Sequence, residues 1–334
     1  MIIDVHAHAL SERFLHDLQM QPIEGLSTIA DGKGGYLIHR RGTPPQSLDP
    51  NLHNLERRLD NLKQREVRLQ LFGPVPGLLS WQTGAAGVEL ARALNLQAKV
   101  IEVEAGGRME AMATVALGAS SAAALELERA IGEHGFRAVM LPTSAGGMPL
   151  DREVFSDLFA FIERRELLVF IHPTSGFPTD RFGINGMNVL LGWPFETTLA
   201  ITRLIFGGIL ERYPGLKIVL AHGGGNLMFL RGRLNAAYFA TGWEAHPYYR
   251  EKIARPPTYY LDRLHYDTCV LSSESLDFLL RTAGDDRVLF GSDYPFDVGD
   301  AEGNIAMPAI RTYEVRVQSK VLYENALTLL PRRR

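Results

Sequence analysis

The chain has 334 residues, 46% apolar and 22% charged, with 35 basic side chains against 38 acidic ones and a formal net charge of −3. These are the proportions of an ordinary folded protein, and they exclude disorder, collagen-like repeats and coiled coils. The only basic run is Arg332 to Arg334, which makes nucleic acid an unsuitable partner.

Taken in chain order, short β-branched runs predict strands at residues 2–5, 67–72, 112–117, 138–141, 167–171, 217–221, 264–267 and 287–290. Between them, stretches such as 125–134, 152–164, 196–212 and 273–283 place apolar residues three and four apart, as helices covering a sheet require. Eight strands interleaved with helices predict an α/β fold, a (β/α)₈ TIM barrel rather than a doubly wound sheet. With no internal repeat or linker, 1–334 reads as one barrel domain. Two connections, at about 10–49 and 173–194, are too long for plain βα loops and are expected to cover the C-terminal face and help form a substrate pocket. The single cysteine, Cys269, and an N-terminus without a signal-peptide pattern place the chain in the cytoplasm. No apolar run approaches the roughly 20 residues that cross a bilayer, so no membrane partner is expected.

Polar residues recur where the predicted strands end. His6 and His8 stand two apart after the first strand, so period-two alternation turns both imidazoles to one side. His172 follows the fifth strand, His222 the sixth, and Asp293 the eighth. Each alone reads as readily as a hydrogen-bonded core histidine, a loop histidine or a turn cap. A barrel, however, brings these strand ends to a common rim. His6, His8, His172 and Asp293 then offer three nitrogens and one carboxylate, a set suited to one Zn²⁺, with Mn²⁺ as an alternative. His222 is left as an acid or base acting on water held by the ion.

The segments Asp4-Val5-His6-Ala7-His8, Ile171-His172-Pro173, Ala221-His222-Gly223-Gly224-Gly225 and Gly291-Ser292-Asp293-Tyr294-Pro295-Phe296 resemble the amidohydrolase superfamily. More narrowly, they are similar to its decarboxylase branch, typified by aminocarboxymuconate-semialdehyde decarboxylase. The resemblance spans nearly the whole chain. It implies a mononuclear zinc barrel that removes CO₂ without an organic cofactor, with His6, His8, His172 and Asp293 as ligands, and His222 and Asp293 as catalytic groups. None of the six lysines stands where a bridging lysine of a binuclear hydrolase would. By the same resemblance Arg41 and Arg233 bind substrate carboxylate, Arg233 reaching into the neighbouring site of a homodimer, while Trp193 and Phe296 line the pocket. The implied substrate is a small planar acid, aromatic or polyunsaturated, of the kind met in aromatic-compound catabolism. The motifs also permit a metal-dependent hydrolase of a lactone, amide or ester, or a hydratase. A barrel that has lost its chemistry and serves only for binding is the remaining alternative.

Overall fold

The structure, a computed structural model, describes residues 1–41, 44–75, 77–79, 82, 84–118, 121–174, 186–243 and 245–332. Among them, eight short parallel strands alternate with helices. These are β1 (Ile3–Asp4), β2 (Leu69–Phe72), β3 (Met109–Ala111), β4 (Ala138–Pro142), β5 (Leu168–His172), β6 (Lys217–Leu220), β7 (His265–Asp267) and β8 (Val288–Leu289). β1, β2 and β3 form one parallel sheet, and β4 to β8 form a second in chain order. In register, Ile3 stands opposite Leu69, Gln70 opposite Met109, Leu168 opposite both Ala138 and Lys217, and Tyr266 opposite Val288. Parallel bridges extend the pairing at both edges, Ala113 with Val139 and Ala7 with Tyr294. The Val5 amide also donates to the Phe290 carbonyl at 2.9 Å.

Side-chain alternation separates two cores. Leu168 and Phe170 of β5 belong to an inner cluster with Ile3, Val5, Leu71 and Val219, while Val169 and Ile171 face the helices. The covering helices are α1 (Glu12–Met20), α2 (Leu55–Gln64), α3 (Gly84–Glu104), α4 (Ser121–His134), α5 (Ser156–Arg164), α6 (Trp193–Phe206), α7 (Leu227–Phe239) and α8 (Ser273–Ala283). Their starts are encoded locally: Ser11, Asn54 and Ser272 each accept from a backbone amide of the first turn of α1, α2 and α8, caps worth about 1 kcal/mol each. In α5, Leu158, Phe159, Phe161 and Ile162 are buried on one face. Each contributes about 1.5–3 kcal/mol by leaving water.

Several elements differ from the sequence expectation. The third strand pairs through 109–111, not 112–117, because Gly106 and Gly107 adopt positive φ after α3 and turn the chain straight into Met109. Residues 112–117 are buried but are not paired as a strand, apart from the Met112 amide on the Phe72 carbonyl and the Ala113 bridge. The segment 10–49 is not irregular. It contains α1 and an antiparallel sheet of Leu26–Ala30, Tyr36–Arg40 and Gln46–Ser47, with its own apolar cluster of Leu10, Phe14, Leu15, Leu18, Leu26 and Ile38. The helix expected at 196–212 starts earlier and breaks at Gly208, whose φ is 78°. The wide helical turn Asn188–Gly192 leads into it, and residues 175–185 of the second long connection lie outside the described residues, as do Arg333 and Arg334. The continuous stretch Asn188–Phe206 is long enough to cross a membrane and has a mean hydropathy of 1.3, which unbroken apolar runs do not reveal. Half of it is buried inside the molecule, as a core helix is.

Candidate metal centre

The strand-end residues converge. The potential donor atoms of His6, His8, His172 and Asp293 all lie within 4.8 Å of one another, and all four residues are buried. Alternation along β5 explains one of them: after Leu168 and Phe170, His172 is the next inward position. His222 and Asp293 close their strands in left-handed conformations, φ 54° and 60°. Such strain costs about 1–3 kcal/mol per residue and persists only where the surroundings enforce it.

Outer partners fix the tautomers. His8 Nδ1 lies 2.9 Å from the Pro74 carbonyl and His172 Nδ1 2.8 Å from the Pro173 carbonyl, so in both rings Nδ1 carries the proton. His6 Nδ1 sits 2.6 Å from Asp267 Oδ2. All three Nε2 atoms therefore point inward. Burial lowers His8, and burial together with His8 and His6 lowers His172 well below the ordinary histidine range, so both rings are neutral. His8 Nε2 then presents a lone pair to Asp293 Oδ1 at 3.0 Å, with His172 Nε2 at 3.9 Å from the same oxygen. Lone pairs facing an anionic oxygen repel unless a cation lies among them. The buried His6 Nε2 and His172 Nε2 have no hydrogen-bond partner among the described residues, which a metal would supply.

Burial alone would lower His6, but the Asp293 and Asp267 carboxylates outweigh it and hold the imidazolium up to about 10. A divalent ion held by His6 Nε2 would take the place of that proton. Burial likewise opposes ionisation of Asp293, yet the charge on His6, whose Nε2 stands 3.0 Å from Asp293 Oδ1, and the contact with His222 keep its carboxyl well below the usual range. The donor set fits one divalent ion.

His222 stands outside this group of four, its Nε2 3.2 Å from the other Asp293 oxygen. Trp193 lies nearly parallel to the His222 ring, 17° between planes at 6.3 Å, and edge-on to His172 at 5.9 Å. Phe296 packs 5.2 Å from His8. Arg41 and Arg233 are not brought to the cluster. Arg41 is exposed and donates from Nη2 to Glu24 Oε1 at 2.9 Å, and Arg233 is exposed on α7. The neighbouring Arg40 is half-buried and donates from Nη1 to the Gly77 carbonyl and from Nη2 to Gln46 Oε1.

The sequence reading missed Asp267. One carboxylate oxygen faces His6 Nδ1, while the other accepts from the amides of Gly223 and Cys269. It ends β7, so the strand-end rule that singled out His172 would have found it. Asp4 was also missed. It accepts from the amides of His6 and Ser292, the Ser292 hydroxyl and Gln70 Nε2, and so ties β1 to the segment after β8. Arg58, fully buried beside Asp4 and Tyr294, donates to the His8 carbonyl at 2.7 Å.

Two cavities open on the centre. One, about 360 Å³, is walled by His222, Trp193, Met228 and Cys269. The other, about 40 Å³, begins at His172 and runs past Thr174.

Comparison with known proteins fits this arrangement. The sequence model of a family described as amidohydrolase matches residues 3–332. The chain is 29% identical over 288 residues to the 2-amino-3-carboxymuconate-6-semialdehyde decarboxylase of Dictyostelium discoideum, covering 85% of this chain and 79% of that one. It is 30% identical to the 6-methylsalicylic acid decarboxylase of Aspergillus aculeatus, covering 99% of this chain and 96% of that one. The 5-carboxyvanillate decarboxylase of Novosphingobium aromaticivorans, solved with bound manganese, is alike in fold. Its TM-score is 0.79 at 20% identity, over 98% of this chain and 96% of that one.

Proposed function

The chain belongs to the amidohydrolase family, and from that premise we propose that it is a metal-dependent non-oxidative decarboxylase of a small planar aromatic or polyunsaturated carboxylic acid. The observation that carries this reading is the convergence of three inward Nε2 atoms on the Asp293 carboxylate, with a fifth group, His222, on its far oxygen. The sheet-edge bridges at Ala113 and Ala7 support reading the eight strands as one closed (β/α)₈ barrel within a single domain. His6, His8, His172 and Asp293 are read as the ligands. Three nitrogens and one oxygen accept Zn²⁺ or Mn²⁺.

When bound, a divalent ion polarises a substrate oxygen and takes up negative charge as the bond to the carboxylate breaks. The chain supplies the rest. Loss of CO₂ leaves an electron pair on carbon, and that carbon must take a proton. His222 and Asp293, 3.2 Å apart, form the path along which it passes. Trp193 offers a flat face beside His222, and Phe296 closes the side at His8. Arg40 and Arg41 are both engaged, Arg40 with the Gly77 carbonyl and Gln46 Oε1 and Arg41 with Glu24, so in this reading Arg41 meets a substrate carboxylate only by exchanging it for Glu24. Arg233 reaches a site only across a contact between two chains, and in this reading it serves the neighbouring subunit of a homodimer.

The test is incubation of metal-loaded protein with ortho-hydroxybenzoates and carboxymuconate semialdehydes, with lactones and amides as controls. CO₂ release from at least one acid, with the controls intact, is expected. Hydrolysis of the controls with no CO₂ from any acid overturns the reading.

A further inference from the structure

The donor cluster shares His6 with a second set of side chains. Cys269, His6 and His222 bring a sulfur and two imidazole nitrogens within 4.8 Å of one another. The turns that carry them are tied together by one carboxylate. Asp267 Oδ1 accepts from the Cys269 amide at 3.1 Å and from the amide of Gly223, next to His222, at 2.9 Å, while Oδ2 faces His6 Nδ1. The spacing of thiol and imidazoles is therefore built into the site. Cys269 is 3% exposed and stands with His222 on the wall of the larger cavity. His6 Nε2 and His222 Nδ1 are both buried without a hydrogen-bond partner among the described residues.

The two sets differ in chemistry and overlap in space. His6, His8, His172 and Asp293 offer three nitrogens and a carboxylate oxygen, whereas the second set puts a sulfur in place of the oxygen. Thiolate sulfur favours polarisable cations over hard ones. Cys269 is the chain's single cysteine, so no disulfide within the chain can occupy it. His6 Nδ1 is committed to Asp267, which leaves Nε2 as the nitrogen it offers to either set. One ion at a time can hold it. An ion in the second set also takes His222, whose Nε2 otherwise stands 3.2 Å from Asp293.

We infer that His6, His222 and Cys269 form a station for a soft, thiophilic cation such as Cd²⁺ or Cu⁺, which excludes the resident ion and withdraws His222 from the proton path. As the ion binds, the Cys269 S–H bond breaks, its proton passes to water and the sulfur donates the freed pair to the metal, with no change of oxidation state. Binding stands on the geometry of the side chains, and the arrest of turnover that follows from it rests on the decarboxylase reading above.

The experiment titrates Cd²⁺ into protein loaded with one Mn²⁺ per chain, following the ultraviolet thiolate-to-cadmium charge-transfer band, released Mn²⁺ and CO₂ from the acid panel. With a single cysteine the band reports Cys269 alone, and Cd²⁺ held by His6, His8, His172 and Asp293 gives none. The band should level off at one Cd²⁺ per chain, with Mn²⁺ released ion for ion and CO₂ release falling in step. His222→Ala should weaken Cd²⁺ binding read from the band by at least about 10-fold, the least that even an outer partner of a metal contributes, whereas His8→Ala, outside the set, should leave it within a factor of about 3. Absence of the band at one Cd²⁺ per chain, a band that grows while Mn²⁺ stays bound, or equal affinity in wild type and His222→Ala overturns the inference and leaves the decarboxylase reading intact. The expected band and Mn²⁺ release, in protein that frees no CO₂ from any acid before Cd²⁺ is added, support the station and overturn the decarboxylase reading alone.

Discussion

Asp267 holds His6 Nδ1 with one oxygen and the Gly223 and Cys269 amides with the other, so a single carboxylate orients a donor and anchors the turn that carries His222. Asp267→Asn should therefore weaken metal binding by about 10–100-fold, the usual cost of losing such an outer partner. Competition against a chelator reads this directly, and unchanged affinity would show that His6 is oriented without it. His172 and His222, on opposite oxygens of Asp293, should separate in the same assay. His172→Ala is expected to lose the ion, whereas His222→Ala should keep it while turnover falls about 10²–10⁴-fold; equal metal loss in both would make His222 a ligand. The donors were legible in the sequence because each ends an apolar run, where side-chain type and position both stand out. Asp267 was passed over because an acidic residue closing His265-Tyr266-Asp267 looks like any strand-to-loop boundary until its partner 261 residues away is known.

At the scale of elements, the turn after β6 sets the spacing between Trp193 and His222. Gly225 has φ 64° and ψ −123°, and a Cβ there would lie 2.2 Å from the Pro194 carbonyl oxygen and 2.9 Å from Thr198 Oγ1. Gly225→Ala must push the start of α6 away or strain the turn. We expect a fall in melting temperature of about 5 °C or more together with loss of turnover as Trp193 moves; a melt within 1 °C of wild type (roughly the scale of a neutral surface change) would mean that this contact is slack. Most strands and helices were legible because burial on both faces and 3.6-residue spacing are local signals. The third strand was misplaced because the apolar run 112–117 outweighs Met109-Glu110-Ala111, which carries a charge, and only pairing with Gln70 to Phe72 picks out the latter. The antiparallel sheet within 10–49 escaped because just a few of its positions, such as Leu26, Thr28 and Ile38, are buried, against a small satellite core rather than the main one.

For the whole molecule, His265 on β7 links stability to pH at a distance from the donor cluster. Burial, with Arg287 beside it, lowers this imidazole to about 4 from 6.5. Below pH 6.5 the unfolded chain takes up a proton that the folded chain refuses. Stability present above pH 6.5 is therefore lost as pH falls towards 4, by up to about 3 kcal/mol. In denaturant melts from pH 4 to 7, His265→Gln should flatten this slope, and an unaltered slope would place the acid sensitivity elsewhere. The alternation of eight strands with helices was legible as a count. That the two sheets approach at both edges depends on bridges one residue long, which no sequence period announces. The central claim joins those scales: strand ends from across the chain hold one divalent ion at which an acid loses CO₂. The direct test strips the protein with chelator and adds back Mn²⁺ or Zn²⁺ in steps while CO₂ release from the acid panel is followed. Turnover should be absent at the start, rise in proportion to metal and level off at one ion per chain; turnover that survives stripping, or that needs two ions, would contradict it.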